Sequence, residues 1–258
     1  MEVVPPTGLG IVNPVFDSAH LRAGVERIAR RLGAYRVGVA SLEDEAVSAA
    51  VREQGDERLA GFSRAVSIAF RLQDAIVGRL PEEHLTPLVA KTYRFHIYTV
   101  VNAHLDQVAT LVAGVLQDAG HAALSVPTSL SVDAEGFRGP LSHKLAARMA
   151  GLGWIGRSCL LVTPEVGPRV RLVTVLTDAP LAADVPLSRD CGACTLCVEA
   201  CPAGAFTGRP FTPSEPIEAR MDVRACARYR ASAKDQSGVD ICGVCVAVCP
   251  HGRRGKKG

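Results

Sequence analysis

The segment C-G-A-C-T-L-C-V-E-A-C-P at Cys191–Pro202 carries four thiols with gaps of two, two and three residues. Thiolates in a C-x2-C-x2-C-x3-C-P run hold iron–sulfur cubanes. Three of them cap one cluster from a single tight loop, and the fourth points away toward a second cluster. Pro202 stops the local turn because it lacks an N–H and fixes φ. A shorter run, C-G-V-C-V-A-V-C-P at Cys242–Pro250, answers the first. It is one thiol short, since Val239 stands where its first cysteine would be, and Cys226 in M-D-V-R-A-C-A-R-Y is the replacement. The spacing assigns one 4Fe–4S cluster to Cys191, Cys194, Cys197 and Cys249, and the other to Cys201, Cys226, Cys242 and Cys245. Zinc also takes C-x2-C pairs, but a structural zinc site uses two separated pairs, a poor match to interleaved triplets that each close on C-P. Disulfides need an oxidising compartment, and the opening M-E-V-V-P-P-T-G reads as no signal peptide.

The elements that must position these thiols follow from the rest of the chain. Its 258 residues suit one large or two modest domains. A net charge of +3 makes no electrostatic case for a polyanionic partner. No stretch is read as apolar enough to cross a bilayer and no basic leader is seen, so a cytoplasmic protein without a membrane partner is expected. The basic tail H-G-R-R-G-K-K-G reads as a solvated terminus. Repetition is confined to the two cysteine runs.

A Pro/Gly-rich lead over residues 1–16 precedes an amphipathic helix from Asp17 to Leu32. Ser18 is the expected cap, Leu21, Val25, Ile28 and Leu32 the apolar face, and Gly33 the stop. Tyr35–Ala40 and Arg64–Leu72 read as strands. Pro87 opens a long helix reaching Ala119, with Leu105, Val108, Leu111, Val112 and Leu116 at helical spacing. Ala122–Val126 reads as a short strand, followed by a loop to Gly139-Pro140. A short helix from Ser142 then breaks at Gly151 and enters a glycine-rich turn with the only tryptophan, Trp154. Two paired strands follow, Cys159–Thr163 and Val170–Thr177, joined by the P-E-V-G-P turn. Gly151, Gly153 and Gly156 either let the backbone approach something flat or make a tight helix-to-strand connection. They do not form a dinucleotide fingerprint, because they follow a helix. Cys159, the ninth cysteine, is expected as a buried small hydrophobe.

Together A-G-L-G-W-I-G-R-S, the strands ending in L-T-D, both cysteine runs and D-V-R-A-C resemble epoxyqueuosine reductase, a family similar in turn to the core of reductive dehalogenases. R-A-V-S-I, the helix with Tyr93, Tyr98 and Asn102, and S-V-P-T-S fit the same order. The resemblance implies an α+β protein. An N-terminal α/β domain of the cobalamin-dependent reductase type (residues 1–180) would bind a corrinoid and substrate. A C-terminal two-cluster bacterial ferredoxin-like domain (181–258), ending in the basic tail, would feed it electrons. It places Tyr98, Trp154, Ile155 and Gly156 around the corrinoid.

The sequence also departs from the family. Phe137 stands where the family's proton-donating aspartate would be, leaving Asp133, His143, Lys144 and Tyr98 as candidates for proton transfer; Asp133, His143 and Lys144 read as solvated. H-I-Y replaces the family's D-Y-H, aligning Tyr98 with a histidine near the corrinoid. No D-x-H-x-x-G motif offers a lower cobalt ligand. The family's helical-repeat domain, implicated in tRNA binding, is not seen, so tRNA is not the expected substrate. The expected function is a cobalamin-dependent iron–sulfur reductase of unidentified substrate, supplied by an external ferredoxin or flavodoxin-type electron donor. The alternative is an electron-transfer or activator protein serving a partner, which would need no cavity beside its clusters.

Overall fold

A computed structural model describes residues 17–43, 59, 61–133, 137–213 and 215–252. The expectations for the lead and for the tail beyond Gly252 lie outside the described residues. Four strands form an antiparallel sheet in the order β1 (Arg36–Ser41), β2 (Arg64–Arg71), β6 (Val170–Thr177), β3 (Ala123–Val126). Along β2, alternation sends Val66, Ile68 and Phe70 to one face and Ala65, Ser67 and Ala69 to the other. Both faces are covered by helices, which is why the strands read as nearly unbroken apolar runs.

The large-residue face packs on α1 (Ser18–Arg31) and α2 (Pro87–Asp118). Leu21 and Val25 of α1 meet Leu105, Val108, Val112 and Leu116 of α2 over Val66, Ile68 and Val175. Burying each such side chain contributes roughly 1.5–3 kcal/mol. The cap of α1 lies one residue earlier than expected. Asp17 Oδ1 accepts the Ala19 N–H at 3.3 Å, while the Ser18 hydroxyl donates to the Pro180 carbonyl at 2.6 Å. The small-residue face admits α3 (His143–Met149), capped by Ser142, whose Ala146 and Ala147 are fully buried. Gly38 of β1 is needed there, because a Cβ would run into the Ala150 carbonyl and stand 2.7 Å from Leu152 Cδ1.

Two features of α2 differ from the sequence reading. Its middle, Phe95–Val101, is π-helical, a widened and uncommon turn that is frequently found at functional sites. The helix also has the length and mean hydropathy, 1.2, to cross a bilayer, contrary to the expectation that no stretch does. One face of it is buried inside this molecule, against α1 and the sheet, while Leu88, Phe95, Val100 and Leu111 stay exposed.

The expected pairing of the two strands around P-E-V-G-P is also corrected. Thr163 and Gly167 do close that turn with a pair of backbone hydrogen bonds of 2.9 and 3.0 Å. The strands then part: β5 (Leu161–Val162) folds back on β4 (Trp154–Ile155) as a separate ribbon, while β6 enters the centre of the main sheet. There β6 gains two neighbours and buries both faces.

After Thr177 the chain runs to α4 (Leu196–Glu199), α5 (Val223–Ser237) and α6 (Val244–Ala247). Ile241 and Ala247 belong to the same core as the sheet and α2. Tyr93 of α2 packs so closely on Gly243 that a Cβ there would lie 2.5 Å from its ring.

Candidate functional site

The two cysteine runs fold alike. Gly192 and Gly243, the second residue of each C-G-x-C, adopt φ of 52° and 89°, a left-handed turn that wraps the backbone around its thiols. Cys226 sits in the first turn of α5, which Asp222 caps through the Ala225 N–H at 2.8 Å. Burial pushes the Cys197 thiol up to about 11, helped by neighbouring Cys191, Cys249 and Cys194. Burial likewise drives Cys245 far up, with Cys242, Cys226 and Cys201 adding to it. Cys191, Cys194 and Cys249 thus lie near enough to Cys197 to raise it, and Cys201, Cys226 and Cys242 near enough to Cys245. Such crowding disfavours thiolates unless a cation joins them, which iron supplies.

Several backbone N–H groups point at these sulfurs, including those of Ala205 on Cys201 (3.4 Å), Val244 and Gly243 on Cys242, and His251 and Gly252 on Cys249. Donors of this kind stabilise cluster sulfur charge. All nine cysteines are free thiols. Among the described residues, no three Cys, His, Asp or Glu side chains converge as a single metal ion requires. The donor set, eight thiols in two C-x2-C runs joined by Cys226, fits cubanes.

The glycine-rich block lies on the cysteine module. A Cβ on Gly156 would stand 3.3 Å from Cys191 Sγ and 2.8 Å from Val162 Cγ2, and Gly153 backs onto the Val162 carbonyl. Arg157 donates to the carbonyls of Gly192, at 2.7 Å, and Gly208. Trp154, fully inside, meets the His251 ring edge-on at 5.0 Å. The tight-connection reading of the three glycines is thus the one that describes them. Arg169 ties the other side, donating to Asp74 Oδ1 at 3.0 Å and to the Ala247 carbonyl at 3.1 Å.

A cavity of about 820 Å³ opens between the sheet domain and the cysteine module. Tyr98, on the π-helical turn, and Ile155 line it, whereas Trp154 lines a smaller pocket with Ile155, Arg157 and Cys191, and Gly156 lines neither. The Arg171 guanidinium lies 5.1 Å from the Tyr98 ring centroid and donates to Asn102 Oδ1 and Ser129 Oγ at 3.0 and 3.1 Å. The opposite wall includes Asp222, Val223 and Arg224, at the start of the helix that carries Cys226.

The other proton-transfer candidates separate clearly. Asp133 is on the cavity wall, its Oδ1 accepting the Arg138 N–H at 2.9 Å, and residues 134–136 of that loop lie outside the described residues. Phe137 faces the cavity. His143 and Lys144 are deep rather than solvated. Burial lowers His143 to about 4, so its ring is neutral, and both nitrogens are occupied, by Thr174 Oγ1 at 2.8 Å and the Pro127 carbonyl at 3.2 Å. Lys144 donates to the Cys159 carbonyl at 2.9 Å, and burial lowers its pKa. Cys159 is buried as expected, but at φ 56°, the single positive-φ non-glycine among the described residues.

Residues 190–252 match the family described as a 4Fe-4S double cluster binding domain. This part of the chain is a double-cluster module. Epoxyqueuosine reductase of Listeria monocytogenes is 35% identical over 125 residues, covering 45% of this chain and 31% of that protein. Its counterpart in Gloeobacter violaceus is 36% identical over 131 residues, covering 46% and 38%. The matched stretch thus spans well under half the length of these curated relatives, and the resemblance to epoxyqueuosine reductases read from the motifs is confirmed. A reductive dehalogenase structure described in terms of B12-dependent dehalogenation superposes with a TM-score of 0.69 at 23% identity, over 98% of this chain and 34% of that one. An epoxyqueuosine reductase bound to an epoxyqueuosine-modified tRNA stem loop gives 0.58 at 19% identity, over 92% and 66%. The fold is that of these reductases.

The sequence reading missed Arg171 and Arg220 as cavity residues. Arg171 carried a signal, a charge inside an otherwise apolar central strand; Arg220, in an irregular stretch, carried none.

Proposed function

We propose that this chain is an iron–sulfur reductase in which the cavity holds a corrinoid and a substrate beside the second cysteine group. The observation that carries the reading is the cavity itself, walled by Tyr98 of the π-helical turn on one side and by the Cys226-bearing helix on the other. A carrier that only passes electrons to a partner has no use for a cavity of this size.

In this reading Cys191, Cys194, Cys197 and Cys249 ligate one cluster, and Cys201, Cys226, Cys242 and Cys245 the other. The eight thiols fit that role by grouping and by their N–H donors. A soluble, cytoplasmic setting and an external ferredoxin or flavodoxin-type donor belong to the same proposal. A corrinoid lying along this cavity would bind without a lower protein ligand, because His143, its one deep imidazole among the described lining residues, has both nitrogens committed. When bound, a corrinoid supplies low-valent cobalt for reducing an electrophilic substrate.

The chain's own residues supply the surroundings. Tyr98 lines the cavity and is the proton donor of this reading. Arg171 covers the Tyr98 ring and, through Asn102 and Ser129, fixes the ring against the sheet. Phe137, Leu141 and Ile155 keep part of the wall apolar. The substrate is not epoxyqueuosine in tRNA, since Phe137 occupies the expected place of the family's acid.

The test is a visible spectrum of anaerobically purified protein with iron and sulfide assays, before and after adding cob(II)alamin. About eight irons per chain and corrinoid retained through desalting are expected. Iron without corrinoid retention would favour the carrier, and zinc in place of iron would end both readings.

A further inference from the structure

Besides the exposed Arg138, three cationic side chains face the cavity without a carboxylate partner among the described residues. Lys144 lies deep in the protein yet opens partly on the cavity, and its ammonium finds only the Cys159 carbonyl. Arg171 is held by two neutral groups, Asn102 Oδ1 and Ser129 Oγ. Arg220 is 6% exposed, stacks 4.8 Å over the Phe211 ring and leaves its Nε–H with no acceptor; its Nη1 reaches only Cys159 Sγ, at 3.9 Å. No ion pair joins these three to the carboxylates on the cavity wall, although Glu215 Oε2 is buried without a partner. Glu215 pairs with Arg209, Asp222 caps α5 and lies 3.8 Å from Arg228, and Asp133 accepts a backbone N–H, while Glu218 is exposed.

Buried cations are ordinarily paired, because an unpaired charge away from water is costly. Arg220 is such a buried cation, and with half-buried Lys144 and Arg171 opening on the same space it describes a receptor for an anion brought from outside. Guanidinium groups favour planar oxyanions, and the intervening wall, with Phe137, Leu141, Ile155 and Phe211, suits an apolar body. We propose that the cavity takes an apolar carboxylic acid, its carboxylate held by Lys144, Arg171 and Arg220. The proposal rests on the cavity being the substrate site and names the substrate class.

Calorimetric titration of the iron-loaded protein with benzoate and with benzamide, which has the same shape without the charge, tests it. Benzoate should bind about tenfold or more tightly than benzamide, as charged hydrogen bonds of this kind require. Arg220→Gln, Lys144→Gln and Arg171→Gln should each remove about that factor for benzoate and leave benzamide and iron content unchanged. Equal affinity for the two probes, no benzoate binding, or benzoate binding indifferent to all three changes would overturn it. So would a loss of iron in Lys144→Gln with benzoate binding intact, since the cluster would then be that cation's counter-charge. The wild-type comparison needs no variant to fold. Charge-selective binding in a protein that retains no corrinoid would keep this inference and remove the reductase reading.

Discussion

At the scale of single residues, the thiols were legible because their spacing is local, and the cations were not because they meet from three distant segments. C-x2-C geometry is written within a dozen residues, so Cys226 could be recruited as the eighth ligand from position alone. Replacing it with serine should lower iron from about eight to about four per chain. Cys159→Ser should leave the iron count unchanged, since Cys159 stands apart from both groups, beside Lys144 and Arg220. An iron assay on the two variants decides between them. Tyr98→Phe should abolish turnover while preserving iron content and corrinoid retention. Loss of either cofactor in that variant would make Tyr98 a structural residue rather than a proton donor.

At the scale of elements, periodicity located α1, α2 and the strands of the sheet, but it was silent on how α2 winds. An i, i+4 pattern and an i, i+5 pattern differ by one residue per turn, and seven residues do not resolve them. Pairing around P-E-V-G-P was misjudged for a related reason. A tight turn says that two strands begin close together, and only the sheet's need for a central strand says where the second one goes. The depth of α3's first turn was also hidden, because histidine and lysine at a helix start usually face water. His143 gives that depth a measurable consequence. Its folded pKa of about 4 lies below the ordinary 6.5, so the unfolded chain binds the extra proton first. The stability it permits is complete above about 6.5 and is lost as pH falls toward about 4. Chemical denaturation at successive pH values should show this slope, and His143→Gln should flatten it in that window. An unchanged slope would place the imidazole in water.

At the scale of the whole molecule, the cysteine module does not merely follow the sheet domain. Sequence alone suggested a boundary near residue 180, because the apolar strands stop there and the cysteines start. The packing crosses that line repeatedly: Ile241 and Ala247 complete the core of α2, and Tyr93 fills the turn at Gly243. Arg157 and Arg169 strap carbonyls of the module to the sheet side, with Asp74 as the counter-charge for Arg169. Burial pushes the Asp74 carboxyl up, but Arg169 and Arg71 outweigh it and hold it below its usual range, so the strap is ionised at neutral pH. Removing one partner of such a contact strands the other, and Arg169→Leu should cost about 2–3 kcal/mol. If the module is part of one cooperative core, the heat-induced loss of helical signal and the bleaching of cluster absorbance should coincide in the wild type. In Arg169→Leu both should move down together by several degrees. A variant whose clusters bleach early while its helices melt unchanged would show instead that the module unfolds by itself, and that the seam only docks two independent bodies.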